Sequence, residues 1–195
     1  MKKDIILAGV GGQGVLSVAA VIAKAAVKSG FFVRQSEVHG MAQRGGAVLS
    51  HLRIADMAIA SDLVPKGCAD LIVSMEPLES LRYADFLSPD GALLTTDAPF
   101  VNIPDYPDSA LVLKNIECFP IHGIINAVAL SKSAGLPKAV NVVMVGAASL
   151  FLPISIEDME ATIEETFAAK GQGVIDANKR AFRLGREETL NIRHT

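Results

Sequence analysis

Two short segments carry residues whose types and spacing suit chemistry. The first, Gly9-Val10-Gly11-Gly12-Gln13-Gly14, sets glycines in a G-x-G-x-x-G pattern directly after the apolar run Ile5-Ile6-Leu7-Ala8. Glycines let backbone N–H groups come close to an anion, and a helix opening there adds partial positive charge. Strand, tight turn and helix start in that order form the context of a nucleotide-binding βαβ unit. The same loop also serves to seat a helix tightly on its sheet, and spacing leaves both readings open. The second segment, from Ser36 to Gly46, contains Glu37, His39, Met41, Gln43, Arg44 and the pair Gly45-Gly46. Arg44 next to two glycines suits a carboxylate or phosphate, held by a bidentate fork beside free backbone N–H groups. Glu37 and His39, two apart on an extended segment, fall on one side and could pass a proton. The preferred reading is plainer: they orient the loop or are covered by another subunit, and no residue is assigned a catalytic role.

The elements that must position these loops alternate. A strand is expected at about 4–9 and a helix at 14–29, ending near Gly30, followed by a strand from Phe31 to Ser36. A further strand runs from Gly46 to Ile54, with 56–59 returning as a short hairpin partner. Residues 69–74 read as a buried strand, Pro77 to Phe86 as a helix with proline in its first turn, and 92–96 as a strand after Asp90-Gly91. Beyond an irregular, proline-bearing stretch at 97–110, strands are expected at 111–113 and 116–119. Helices follow at 122–133 and 140–151, the latter apolar on nearly every face and so deeply buried. Ser155-Ile156-Glu157-Asp158 resembles a capping box before a stripe of Met159, Ile163 and Phe167. A last helix runs from Val174 to Glu188. Such alternation predicts an α/β, Rossmann-like three-layer sandwich: a mostly parallel, mixed sheet with helices on both faces. Residues 1–192 are expected to form one domain, with 193–195 a loose tail. The two glycine-bearing loops leave the carboxyl ends of strands expected to be neighbours, and so should share one rim.

Composition excludes several classes. A net charge of −3 gives no basic footprint for nucleic acid. The basic residues Lys179, Arg180, Arg183 and Arg186 mix with Glu187 and Glu188, the pattern of a solvated helix face. Cys68 and Cys118 are the two cysteines, with no Cys-x-x-Cys, so no zinc site or iron–sulfur cluster is expected on this chain, nor any other metal. The apolar stretches at 15–27 and 139–152 are too short to span a membrane, and the chain reads as cytoplasmic.

The paired loops resemble those of the gamma-type subunit or domain of 2-oxoacid:ferredoxin oxidoreductases. The His39-Gly40-Met41-Ala42-Gln43-Arg44-Gly45-Gly46 version is most similar to the beta subunit of indolepyruvate ferredoxin oxidoreductases, enzymes of anaerobic metabolism. The tail pattern Asn178-x-x-Ala181-Phe182-x-x-Gly185 is similar to the closing helix of that family. The resemblance implies an accessory subunit, inactive alone, in a complex that oxidatively decarboxylates an aryl pyruvate with coenzyme A, giving an acyl-CoA, carbon dioxide and reduced ferredoxin. It places thiamine diphosphate, Mg2+ and [4Fe-4S] clusters on a larger catalytic alpha subunit, with no cofactor held firmly here. Coenzyme A or the partner would meet Gly9, Gly11, Gly12, Gln13, Gly14, Arg44, Gly45 and Gly46. The residues Glu37, His39, Met41 and Gln43 would lie on the active-site rim. Isolated, the chain is expected to pair with a second copy.

Two other readings remain open at this level. One is a stand-alone NAD(P)- or FAD-binding enzyme, for which Glu37 lies slightly late for the ribose acid expected at the end of the second strand. The other is an assembly module without a ligand.

Overall fold

The computed structural model describes residues 1–39, 45–101 and 103–190. The first strand, β1 (Lys2–Val10), runs into helix α1 (Val15–Lys28). Apolar positions 15, 18, 19, 22, 25 and 26 recur at helical spacing and are all buried. The helix stops where Gly30 adopts φ +83°. The N–H of Gly30 then donates to the Val27 carbonyl and that of Phe31 to the Ala26 carbonyl, both at 3.0 Å, a Schellman termination. Strands β2 (Phe32–His39), β3 (Ala47–Ala55) and β4 (Ala69–Ser74) follow. Next come α2 (Pro77–Arg82), β5 (Leu87–Thr96), α3 (Ser109–Ile116), β6 (His122–Ile125) and α4 (Ala127–Ser133). The chain closes with α5 (Val140–Ala148), α6 (Ile156–Phe167) and α7 (Gln172–Leu190).

The strands form one sheet in the order β2-β3-β1-β4-β5-β6. Pairing is parallel from β1 through β4 and β5 to β6, whereas β3 is antiparallel to both β1 and β2. Helices cover both faces. Ile5 and Leu7 face a large core with α1, α4, α5, α6 and α7, while Ile6, Ile72 and Leu93 face a smaller one with α2 and α3. The α/β class and mixed sheet thus match the expectation. One adjacency differs: β3 lies between β1 and β2, so the strands bearing the two loops are not neighbours.

Several local expectations fail: Asp90-Gly91 lies inside β5, α2 ends at Arg82 rather than Phe86, no strand forms at 116–119, and three further stretches differ for reasons the packing shows. Residues 56–59 form no returning strand. Instead Arg53 and the fully buried Asp4, paired in register, form a bidentate ion pair at 2.8 and 3.0 Å. The remaining Arg53 nitrogen donates to the Ser61 and Leu63 carbonyls, both at 3.0 Å, and ties the connection to the sheet. Residues 109–116 are helix rather than strand. Asp108 accepts from the Leu111 N–H at 3.0 Å, and Val112 and Ile116, one turn apart, are the buried pair. Residues 122–125 are strand rather than helix, because α4 starts only where Asn126 caps it by accepting from the Ala129 N–H at 2.9 Å. The N-cap half of the expected capping box forms, with Ser155 accepting from the Asp158 N–H at 3.0 Å, while the Asp158 carboxylate accepts from the Ser29 hydroxyl at 2.6 Å.

Helices α5 and α7 cross with their backbones almost touching. A Cβ on Gly146 would lie 2.0 Å from the Phe182 carbonyl oxygen, and one on Gly185 2.0 Å from that of Val143. The basic face of α7 is not simply solvated. Arg183 pairs with Glu160 and Lys179 with Glu164, fastening α7 to α6, while Arg186 donates to the Ser149 hydroxyl at 2.8 Å. Both cysteines are exposed. No described helix is long and apolar enough to cross a membrane.

His51 on β3 is buried, with its Nδ1 accepting from the Val64 N–H at 3.2 Å and its ring edge-on to Phe86. Burial, helped by the neighbouring Arg53 charge, holds its pKa below the ordinary 6.5. The folded state therefore keeps the ring neutral while the unfolded chain takes up a proton near pH 6.5, so this contribution is complete above that pH and is lost as pH falls below it. Urea midpoints should fall from about pH 7.5 to about pH 5.5, and less steeply for His51→Gln, whose amide oxygen can still accept from Val64. Equal slopes would contradict this.

Candidate functional site

The chain leaves β1 over one face of the sheet and β4 over the other, so the crevice between their carboxyl ends is the topological switch point where open α/β sheets bind ligands. The glycine loop lies there, and each of its residues has a structural reason. A Cβ on Gly9 would meet Val15 at 2.7 Å and Met75 at 3.1 Å, so this glycine lets α1 and the end of β4 close on the strand. Gly12 takes φ +100° with open space around its α-carbon. Gly14 takes φ +80° as the N-cap of α1, where a Cβ would lie 2.1 Å from the Asn141 side-chain nitrogen. That nitrogen donates to the Gly14 carbonyl at 3.4 Å. Gln13 folds back on the loop: its side-chain oxygen accepts the Val10 N–H at 2.8 Å, and its own N–H donates to the Val10 carbonyl at 3.0 Å.

Of the second loop, the described end Gly45-Gly46 reaches the same rim. The Gly11 N–H donates to the Gly46 carbonyl at 2.8 Å, joining the two glycine segments directly. Gly45, with φ +77°, precedes it. Gly45-Gly46 thus lie beside the first loop, brought there by the start of β3. Glu37 and His39 are on β2, in register with Ser50 and Val48. Met41, Gln43 and Arg44 lie outside the described residues.

Helix α1 has no side-chain cap and no acidic residue in its first turn. The first amides of a helix have no intrahelical acceptor, and they carry the positive end of its dipole. Beside them Val10, Gly11, Gly12, Gly14, Val15, Leu16 and Val48 line a depression of about 300 Å³. The arrangement suits a small anionic group. It fits a dinucleotide less well, because β3 separates β1 from β2 and moves Glu37 about two strand spacings, roughly 10 Å, from β1.

Sequence reasoning missed Glu76 at the end of β4. Its carboxylate is buried, caps α2 through the Glu79 N–H at 2.8 Å, and accepts from the Phe100 N–H at 3.3 Å and from the Tyr106 hydroxyl. Burial and that carboxylate push the Tyr106 phenol well above its usual range. Glu76 thereby pins the 97–108 connection along the rim. Its one sequence signal is the Pro77 that follows it, at the first helical position. Among the described residues, no group of three or more His, Cys, Asp or Glu side chains is placed to hold a metal ion.

A family model for pyruvate ferredoxin/flavodoxin oxidoreductases matches residues 4–188. The chain is 35% identical to indolepyruvate oxidoreductase subunit IorB of Archaeoglobus fulgidus, over 99% of this chain and 98% of that one. Its fold is similar to the crystal structure of pyruvate oxidoreductase subunit PORC from Thermotoga maritima, with TM-score 0.70, 28% identity, and 98% and 97% of the two chains covered. It also matches a 2-oxoglutarate:ferredoxin oxidoreductase from Magnetococcus marinus with 2-oxoglutarate, coenzyme A and succinyl-CoA bound. There the TM-score is 0.79 at 21% identity, a likeness of fold, and all of this chain spans 32% of that one.

The packing of Gly14 on Asn141 can be tested directly. Gly14→Ala should cost more than about 2 kcal/mol, and adding Asn141→Ala should relieve the clash and leave roughly 1–2 kcal/mol for the left-handed backbone. Urea denaturation of the four proteins checks this, and additive costs would contradict it.

Proposed function

The chain belongs to the pyruvate ferredoxin/flavodoxin oxidoreductase family, and from that premise we propose that it is the accessory subunit of an indolepyruvate-type oxidoreductase. In this reading a larger catalytic subunit holds thiamine diphosphate, Mg2+ and the [4Fe-4S] clusters. The complex decarboxylates an aryl 2-oxoacid with coenzyme A and passes two electrons to ferredoxin. The supporting observation is end-to-end similarity to the indolepyruvate subunit of Archaeoglobus fulgidus. The donor set of this chain agrees. Two cysteines cannot supply the four thiolates of a cluster.

The chain's own contribution is the rim. Gly9–Gly14 and Gly45–Gly46 bring the open space at Gly12 and the positive end of α1 to the surface, which would receive a phosphate of coenzyme A or a carboxylate of the catalytic subunit. Arg44 would help to hold that anion, and Glu37, His39, Met41 and Gln43 would lie on the active-site rim. The complex is cytoplasmic, and the free chain pairs with a second copy through the face the partner would cover.

The test is purification of the tagged chain from its native cells under anaerobic conditions. A larger thiamine diphosphate and iron–sulfur protein should accompany it, with aryl-pyruvate- and coenzyme A-dependent reduction of ferredoxin in the eluate. A lone chain retaining a nicotinamide or flavin would overturn the reading. Within the complex, Gly12→Asp adds a negative charge in open space and should raise the KM for coenzyme A about tenfold more than the neutral Gly12→Asn. Equal effects of the two would remove the anion from the account.

A further inference from the structure

Helices α1, α5, α6 and α7 pack as a ring, α1 and α7 each resting on both α5 and α6. They border a half-open cavity of about 810 Å³ that the rim does not use. Its walls are apolar, formed by Ala20, Val21, Val142, Val145, Phe167 and Val174. Its mouth is basic. Lys24, Lys138 and Lys170 line it against a single carboxylate, Glu165, which pairs with Lys24 at 3.2 Å. Lys138 and Lys170 are exposed and make no ion pair among the described residues. Asn178, 1% exposed, lines the cavity from α7 and donates to its own helix at the Val174 carbonyl.

We propose that this cavity binds a small organic acid, its apolar ring or branched chain between α1, α5 and α7 and its carboxylate at Lys138 and Lys170. Size supports this, because small-molecule sites run roughly 300–1,000 Å³ and often lie between helices. Charge narrows the class. A neutral apolar ligand leaves two unpaired ammonium groups unused, and a polyanion such as a nucleotide would press charge against Val142, Val145 and Phe167. The occupant is an effector rather than a reactant, because the cavity shares no lining residue with the depression at the glycine rim. Its influence has a route to the rim: Asn141 lines the cavity and also donates to the Gly14 carbonyl at 3.4 Å. The inference goes beyond the subunit reading and does not depend on it.

The test uses 8-anilinonaphthalene-1-sulfonate, an apolar aromatic anion, as a fluorescent reporter on the full chain. Saturable one-site binding is expected, displaced by phenylacetate and not by the uncharged phenylacetamide at the same concentration. Lys138→Glu/Lys170→Glu should weaken reporter binding about tenfold. Ala20→Trp, filling the cavity from an exposed position on α1, should abolish it. Binding that does not saturate, displacement by the amide as strong as by the acid, or binding unchanged in both variants would each overturn the proposal. If Ala20→Trp lowers the melting temperature, the charge-reversed variant, altered at two exposed side chains, decides alone.

Discussion

The placement of β3 between β1 and β2 is the constraint on which the rest of the rim depends. An antiparallel strand in that slot starts where β1 ends, so Gly45-Gly46 arrives beside Gly9–Gly14 and the Gly11 N–H closes on the Gly46 carbonyl. A parallel neighbour would have placed its carboxyl end there instead, with the acid that a dinucleotide ribose requires. The same G-x-G-x-x-G spacing therefore serves a different surface. Here two glycine segments are joined backbone to backbone, and the uncapped end of α1 lies beside them.

The sequence secures that insertion electrostatically and sterically. Burying Asp4 and Arg53 makes sense only as a pair, and breaking such a pair costs about 3–5 kcal/mol, because the remaining charge stays buried. Their register therefore fixes β3 against β1, and the remaining Arg53 nitrogen fixes the 56–63 connection. On the helical side, Gly146 and Gly185 allow α5 and α7 to approach until no side chain fits between their backbones. That approach holds Asn141, at the start of α5, against Gly14. Gly185, which closes the pattern Asn178-x-x-Ala181-Phe182-x-x-Gly185, thus has a steric reason.

What was legible in the sequence follows local physics. The path from β1 through the glycine loop into α1 could be read because apolar run, glycine spacing and helical period agree over one continuous stretch. The buried α5 and the Ser155 cap were legible for the same reason. Leu111-Val112-Leu113 was misread because a short apolar run has no period of its own, although Asp108 and Asn126 marked the true helix starts. The order of β2 and β3 was hidden because it is decided by a buried ion pair between residues 49 positions apart. Asn141 and Glu76 were hidden likewise, since each works by meeting a partner distant in sequence: Gly14 for the one, Phe100 and Tyr106 for the other. The basic residues of α7 looked like a solvated face until α6 supplied their carboxylates.

The central claim is that the joined glycine segments are the surface this chain presents to its catalytic partner. Amide hydrogen exchange of the free chain, diluted until it is monomeric, against the purified complex measures that most directly. The account predicts strong added protection at Gly11–Leu16 and at Gly45–Val48 in the complex, with the strands beneath unchanged. Protection confined to other surfaces, with both glycine segments exchanging as they do in the free chain, would contradict it.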